Sequence, residues 1–184
     1  MGEDRFARYL AAFDEETPVS IRLAHPRPLL KGGEVVPWCP LGYYLPERPN
    51  FTFDPLLHAG CYYVQEAASM FLHHILTETP LPGGGAGGRL PLPWGGDGGG
   101  LSLDLCAAPG GKSTLLRSLL PDDCILFSNE PVRNRAQVLL ENVTKWGYPR
   151  HYVTNNYPRD YRRSKLKFDL ILCDVPCSGE GMFR

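Results

Sequence analysis

No apolar run in the 184 residues approaches the ~20 that a helix needs to span a bilayer. No C-x-x-C occurs among the six cysteines, which stand at 39, 61, 106, 124, 173 and 177. The tightest spacing is Cys173-x-x-x-Cys177, which argues against a structural zinc site and against a disulfide framework. Unpaired thiols suit a reducing cytoplasm, so the expectation is a cytoplasmic protein with no metal and no membrane partner. Met1 to Leu10 carries Glu3, Asp4, Arg5 and Arg8 and is no signal peptide. An excess of either charge is also missing. The net charge is −1, so the global balance neither points to nucleic acid nor excludes it. What remains is 43% hydrophobic residues in a chain of one-domain length, the profile of a globular protein.

Two familiar nucleotide loops are incomplete. Gly111-Lys112-Ser113 fits the end of G-x-x-x-x-G-K-[ST], but Cys106 stands where the first glycine belongs. The G-x-G-x-x-G fingerprint fits poorly as well, because the turn holds Cys106, Ala108 and Gly110 at alternate positions. What the stretch does contain is a strand, a turn and a helix. Leu101, Leu103 and Leu105 alternate with Ser102 and Asp104, Ala107 to Gly111 break the pattern, and Leu115, Leu116, Leu119 and Leu120 recur at helical spacing. An acid at the strand end followed by small residues at every second position (Asp104, Cys106, Ala108, Gly110) matches a third option, an S-adenosylmethionine site. Small residues let backbone pass close to a ligand, and the helix start offers free N–H groups.

In chain order, Phe6, Tyr9, Leu10 and Phe13 predict one face of a helix over 3–14. Val19, Ile21 and Leu23 alternate with Ser20 and Arg22 as a half-buried strand would. A second short strand is expected within 35–45, demoted by Pro37 and Pro40 to an edge strand or an irregular segment. A short extended piece is expected within 58–64, then a helix over 65–79 that buries Ala68, Phe71, Leu72, Ile75 and Leu76. Residues 83–100, with ten glycines, read as a flexible insert. Beyond the central turn come a strand at 124–129, a helix with Pro131 at its first position and Gly147 as its cap, a strand at 152–155, and an apolar strand at 168–173. Strands alternating with helices predict an α/β fold with a parallel sheet. The expected division is a small α+β appendage over 1–45 and an S-adenosylmethionine-binding domain over 46–184. Residues 158–167, with five cations, read first as a solvated helix or loop face and second as an RNA-contacting patch.

Three positions carry chemistry. Glu130 ends the second strand of the sheet, where an acid accepts hydrogen bonds from two ribose hydroxyls. Asn156 follows the third strand, and its amide can both donate to and accept from an adenine edge. Asp174-Val-Pro-Cys177 follows the fourth strand, at the end of the sheet where ligands bind. Amino-group methyltransferases usually place Asp/Asn-Pro-Pro-aromatic there, so a cysteine suggests methylation at an unactivated carbon. Cytosine C5 becomes nucleophilic only when a thiolate adds to C6, and an acidic group at N3 stabilises that adduct. Cys106, Cys124 and Cys173 read as packing residues in their strands and turn.

The runs D-L-C-A-A-P-G-G-K-S (104–113) and D-V-P-C-S-G-E-G-M-F-R (174–184) resemble the Sun family of RNA (cytosine-C5) methyltransferases, in its bacterial branch that modifies ribosomal RNA. P-V-S-I-R-L (18–23) and Y-Y-V-Q-E-A-A-S-M (62–70) are similar to its N-terminal part. The resemblance implies a Rossmann-like fold whose S-adenosylmethionine pocket is lined by Cys106, Ala107, Ala108, Pro109, Gly110, Gly111, Lys112, Glu130, Asn156 and Asp174. The family more often has aspartate where Asn156 stands. It also implies that Lys112 and Asp174 face the target base, and that Cys177 helps to release the product. The attacking cysteine would follow a threonine on the next strand. No Thr-Cys pair exists between Met1 and Arg184, so that nucleophile is expected beyond Arg184.

A methyltransferase sheet has about seven strands and four are legible. The chain is therefore expected to be an N-terminal piece, truncated after the fourth strand and inactive by itself. The alternatives are a cofactor-binding module without chemistry and a DNA cytosine-C5 methyltransferase.

Overall fold

The computed structural model describes residues 2–14, 17–26, 33–78 and 99–175. Most of the glycine-rich insert, residues 83–98, lies outside the described residues. So do Cys177 and Arg184, and with them the part of the second resembling run that was expected to lead to the nucleophile. The structure therefore bears on Asp174 from that run and leaves the roles expected at Cys177 and beyond Arg184 untested.

Two four-stranded sheets form the described chain. The first is antiparallel, in the order β2-β3-β1-β4, from β1 (Val19–Leu23), β2 (Glu34–Val35), β3 (Gly42–Leu45) and β4 (Tyr62–Val64). The prolines expected to demote a single strand over 35–45 fall in the connection between β2 and β3, so two strands form. The sheet also runs past residue 45, because β4 pairs with β1. Helix α1 (Glu3–Ala11) precedes it, and a single turn, α2 (Pro55–His58), starts on a cap in which Asp54 accepts from the Leu56 N–H.

The second sheet is parallel, in the order β7-β6-β5-β8, from β5 (Leu101–Asp104), β6 (Ile125–Asn129), β7 (His151–Thr154) and β8 (Leu170–Leu172). In register, Asp104 stands beside Ser128 on one side and Leu172 on the other, which aligns the carboxyl ends of the strands. Helices α4 (Gly111–Leu119), α5 (Arg133–Trp146) and α6 (Pro158–Arg163) make the crossovers. This is the Rossmann-like arrangement of the first four parallel strands. Leu76, Leu116, Leu120, Cys124 and Leu126 bury one face, while Ala107, Ala108, Leu139 and Val143 pack under the turn.

Three local expectations are corrected. Arg22 and Ser20 are as buried as Ile21, because the second face of β1 packs on the start of α4 rather than on water. The helix expected over 65–79 begins as a 3-10 turn, Ala67–Met70, and only then becomes α3 (Phe71–Glu78). That tighter winding shifts the phase, so Ala67, Met70 and Leu76 are buried while Phe71 and Ile75 are exposed. Helix α5 starts at Arg133, with Pro131 just outside it, and Gly147 caps it in the left-handed region at φ 75°.

Candidate functional site

The turn after β5 is the centre of the site. Gly110 adopts φ 117°, a conformation open to glycine, and brings the chain into α4. Its neighbour Gly111 has little room for a side chain, since a Cβ there would lie 3.3 Å from the Tyr63 ring and 3.5 Å from Gln65. A cavity of about 230 Å³ opens at this point. Of the residues expected from sequence it gathers Cys106, Ala107, Ala108, Pro109, Gly111, Lys112 and Asp174. Its far wall is Tyr63, Val64, Gln65, Glu66 and Ser69, contributed by β4 and the segment after it. Gly110, Glu130 and Asn156 do not line it.

Asp104 reaches the cavity from the end of β5 and is 1% exposed. Ser113 donates to its Oδ2 at 2.5 Å, Ser128 donates to Ser113 at 2.9 Å, and Ser128 meets His151 Nε2 at 2.7 Å. Burial pushes the Asp104 carboxyl up to about 6, although the Ser113 hydrogen bond acts the other way. Burial pushes His151 down to about 4, so its ring is neutral near pH 7. Asp104 Oδ1 is buried and has no hydrogen-bond partner among the described residues. A buried acceptor without a partner among the described residues, in a cavity lined by the turn Cys106 to Pro109 and by Gly111, fits a ligand that brings its own N–H or O–H donors.

Lys112 and Asp174 form an ion pair at 2.5 Å across the cavity mouth, both side chains partly exposed. Lysine in the first turn of α4 is opposed by the helix dipole, and Asp174 offsets this. Cys106 is a poor nucleophile here. Burial, and then the Glu130 carboxylate, raise its thiol above the ordinary range.

Glu130 follows β6 and is 1% exposed. Its Oε1 accepts the Val132 N–H at 3.0 Å, and its Oε2 lies 3.5 Å from Arg135 Nη1. Arg135 also donates to the Ala108 carbonyl at 3.0 Å, so it spans the turn and the acid. Asn156 is exposed, and its backbone N–H and carbonyl are both held by Asn129.

Among the site residues not singled out from sequence, Asn129, Arg22 and Gln65 join Arg135. Asn129, fully buried, donates to the carbonyls of Leu105 and Asn156, and accepts from Thr154 and Tyr161. It ties the ends of three strands together. Arg22 and Gln65 form the second device. Arg22 donates to Gln65 Oε1 at 2.8 Å, to Thr114 Oγ1 at 2.7 Å and to the Gly111 carbonyl at 3.1 Å. Its guanidinium lies 4.4 Å from the centre of the Trp146 ring. Burial lowers its pKa to about 10, so the charge persists at neutral pH. Both residues lie in the N-terminal runs quoted above, which was the available signal.

The family model described as 16S rRNA methyltransferase RsmB/F matches residues 97–184, and that of the N-terminal domain of 16S rRNA methyltransferase RsmF matches residues 1–67. Ribosomal RNA small subunit methyltransferase F of Shewanella pealeana is 32% identical over 154 residues, covering 82% of this chain and 32% of its own length. The protein of that name from Pectobacterium atrosepticum is 33% identical over 161 residues, covering 82% and 29%. The chain thus spans about three-tenths of the length of these curated relatives. Among solved structures, a methyltransferase homologue from Pyrococcus horikoshii matches with a TM-score of 0.73 at 24% identity, over 97% of this chain and 56% of that one. That likeness establishes the fold.

Proposed function

We propose, for a chain that belongs to the 16S rRNA methyltransferase RsmB/F family, that it is the cofactor-binding part of an enzyme that methylates cytosine C5 in ribosomal RNA. The observation that carries this reading is the cavity in which the turn after β5 meets Asp174 at the end of β8. S-adenosylmethionine is the cofactor, and it supplies an electrophilic methyl group. Cys106 to Lys112 would cradle it with backbone, and the unpartnered Oδ1 of Asp104 would accept from its ammonium. Glu130 would hold the ribose hydroxyls once Arg135 yields room, and Asn156 would meet the adenine edge.

Lys112 and Asp174 would face the target base. Asp174 would stand at N3, where an acidic group stabilises the adduct formed when a thiolate adds to C6. Cys177 is assigned to product release. The attacking thiolate is expected on a Thr-Cys pair, which the residues up to Arg184 do not contain. The target base must leave its stack to be reached.

The test uses the full-length protein of the gene, S-adenosylmethionine with a labelled methyl group, and 16S rRNA beside double-stranded DNA. The expected product is 5-methylcytosine in the RNA alone. Label in the DNA, or on an amino group or ribose of the RNA, would overturn the reading.

A further inference from the structure

Between Pro158 and Lys167 five cations (Arg159, Arg162, Arg163, Lys165 and Lys167) stand against one carboxylate, Asp160. The whole chain carries −1, so everything outside this segment sums to five negative charges. Ten residues therefore concentrate the positive charge of an otherwise acidic molecule. All five cations are exposed, and none takes part in an ion pair among the described residues. Asp160 is already engaged, accepting from the Tyr157 N–H at 2.9 Å.

The placement matters more than the count. Tyr161, on α6, bonds through its hydroxyl to Thr154 and Asn129, the residues that tie the carboxyl ends of the strands. The same Asn129 holds the Leu105 carbonyl at the start of the ligand turn. Helix α6 is thus anchored to the rim on which the candidate site opens. Tyr157 is 57% exposed there, with the Arg159 guanidinium 5.0 Å from its ring centre. Because β7 and β8 are parallel, residues 155–169 must return from that rim to the start of β8, and the cations follow that path. Phe168 packs against Tyr161 and Phe127, fixing the inner side of the crossover.

We infer that the outer surface of this crossover, from Tyr157 to Lys167, binds the phosphate backbone of single-stranded RNA, with Tyr157 and Arg159 offering a stacking platform at its end nearest the site. The inference rests on the RNA reading above and adds the surface by which this chain engages the strand. Phosphate neutralisation by Arg and Lys is strong, largely independent of sequence and salt-dependent, and aromatic faces stack any base. A substrate held along this ladder would have its chain led to the rim where Lys112 and Asp174 stand.

The test uses the 184-residue chain and a 20-nucleotide fluorescein-labelled single-stranded RNA, read by anisotropy over a range of salt concentrations. One variant replaces Arg159, Arg162 and Arg163 by Gln. A control replaces three exposed arginines elsewhere, Arg5, Arg8 and Arg133, by Gln. Calorimetry with S-adenosylmethionine is run on all three proteins to show that each is folded. The crossover variant is expected to bind RNA at least about tenfold more weakly, with a salt slope shallower by roughly 2, at about 0.7 per phosphate contact on single strands. The control should retain most of the affinity and the slope. Equal losses in both variants, or wild-type binding by the crossover variant, would overturn the inference while leaving the RNA reading in place. Failure of the wild-type chain to bind RNA at low salt, with cofactor binding intact, would remove this surface and leave the cofactor reading standing.

Discussion

Asp104 and His151 stand at the two ends of a buried chain of hydroxyls, and their titrations oppose each other. Asp104 has its pKa raised to about 6, so the folded state keeps a proton that the unfolded chain has lost. Its contribution is full below the ordinary carboxylate range and is lost as pH rises through about 6. His151 has its pKa lowered to about 4, so its contribution is full above the ordinary imidazole value and is lost as pH falls through about 4. Between about pH 4 and 6.5 the two slopes have opposite sign and largely cancel. Asp104→Asn should therefore unmask stability that rises with pH across this window, and His151→Gln stability that falls. Each change is at most about 3 kcal/mol relative to wild type. Urea denaturation at several pH values reads both, and two variants that simply parallel wild type would refute the opposed pair. Glu130 gives a second prediction. Glu130→Ala should weaken S-adenosylmethionine binding by roughly 1–3 kcal/mol in calorimetry, through loss of hydrogen bonds to a charged acceptor. Unchanged affinity in a folded variant would remove the ribose assignment. The turn residues Cys106 to Lys112 were legible in the sequence because strand, small-residue turn and helix are local. Asn129 and Arg22 were not, because each acts on partners remote in sequence, and neither was the bond from Arg135 to the Ala108 carbonyl, 27 positions away. Arg22 reaches Thr114, 92 positions away.

Helix α4 owes its position to an element that sequence reading put outside the site. Its first turn is held from behind by β1, through Arg22, and by Gln65, whose carbonyl accepts from Ser20 at 2.6 Å. A buried guanidinium with no carboxylate beside it among the described residues is stable here because amide, hydroxyl and carbonyl oxygens take its donors and an indole face covers it. Arg22→Met should cost roughly 3 kcal/mol, since it leaves several buried acceptors unmade while changing side-chain volume little. The midpoint of chemical denaturation measures this. A loss below about 0.5 kcal/mol would mean that the two sheets are joined by apolar packing alone. The same contact explains which elements were readable. Leu101 to Asp104 and the Gly147 cap follow from local alternation and turn chemistry, and they stand where expected. The alternation in β1 read as half-buried because nothing in the sequence announces that α4 covers its polar face. The buried stripe of α3 was misphased because a 3-10 start advances the helix by a fraction of a turn, and no residue marks the change.

At the scale of the molecule, the parallel sheet ends in two edge strands, β7 and β8. Strand β8 lies at its edge, pairing with β5 alone among the described residues, and Ile171 is 54% exposed and Val175 52%. Helix α1 exposes Phe6, Tyr9 and Leu10 by half or more and has no buried residue. Apolar surface of this kind, beside a strand with one open edge, invites pairing with another chain. The relatives are about three times as long as the matched region, which is room for elements that would cover it. The chain as given should therefore self-associate, seen as concentration-dependent light scattering and dye binding to exposed apolar surface. We propose further that it transfers no methyl group to RNA, even though it binds the cofactor. Activation of C5 requires a thiolate at C6. Burial and the Glu130 carboxylate raise the Cys106 thiol above its ordinary range, and the role proposed for Cys177 is product release. The decisive measurement is transfer of labelled methyl from S-adenosylmethionine to total RNA by the purified 184-residue chain, beside Cys177→Ala. The expected result is no 5-methylcytosine from either protein. Product from the wild-type chain that vanishes in the variant would make Cys177 the nucleophile, and would overturn both its assignment to release and the need for a Thr-Cys pair beyond Arg184.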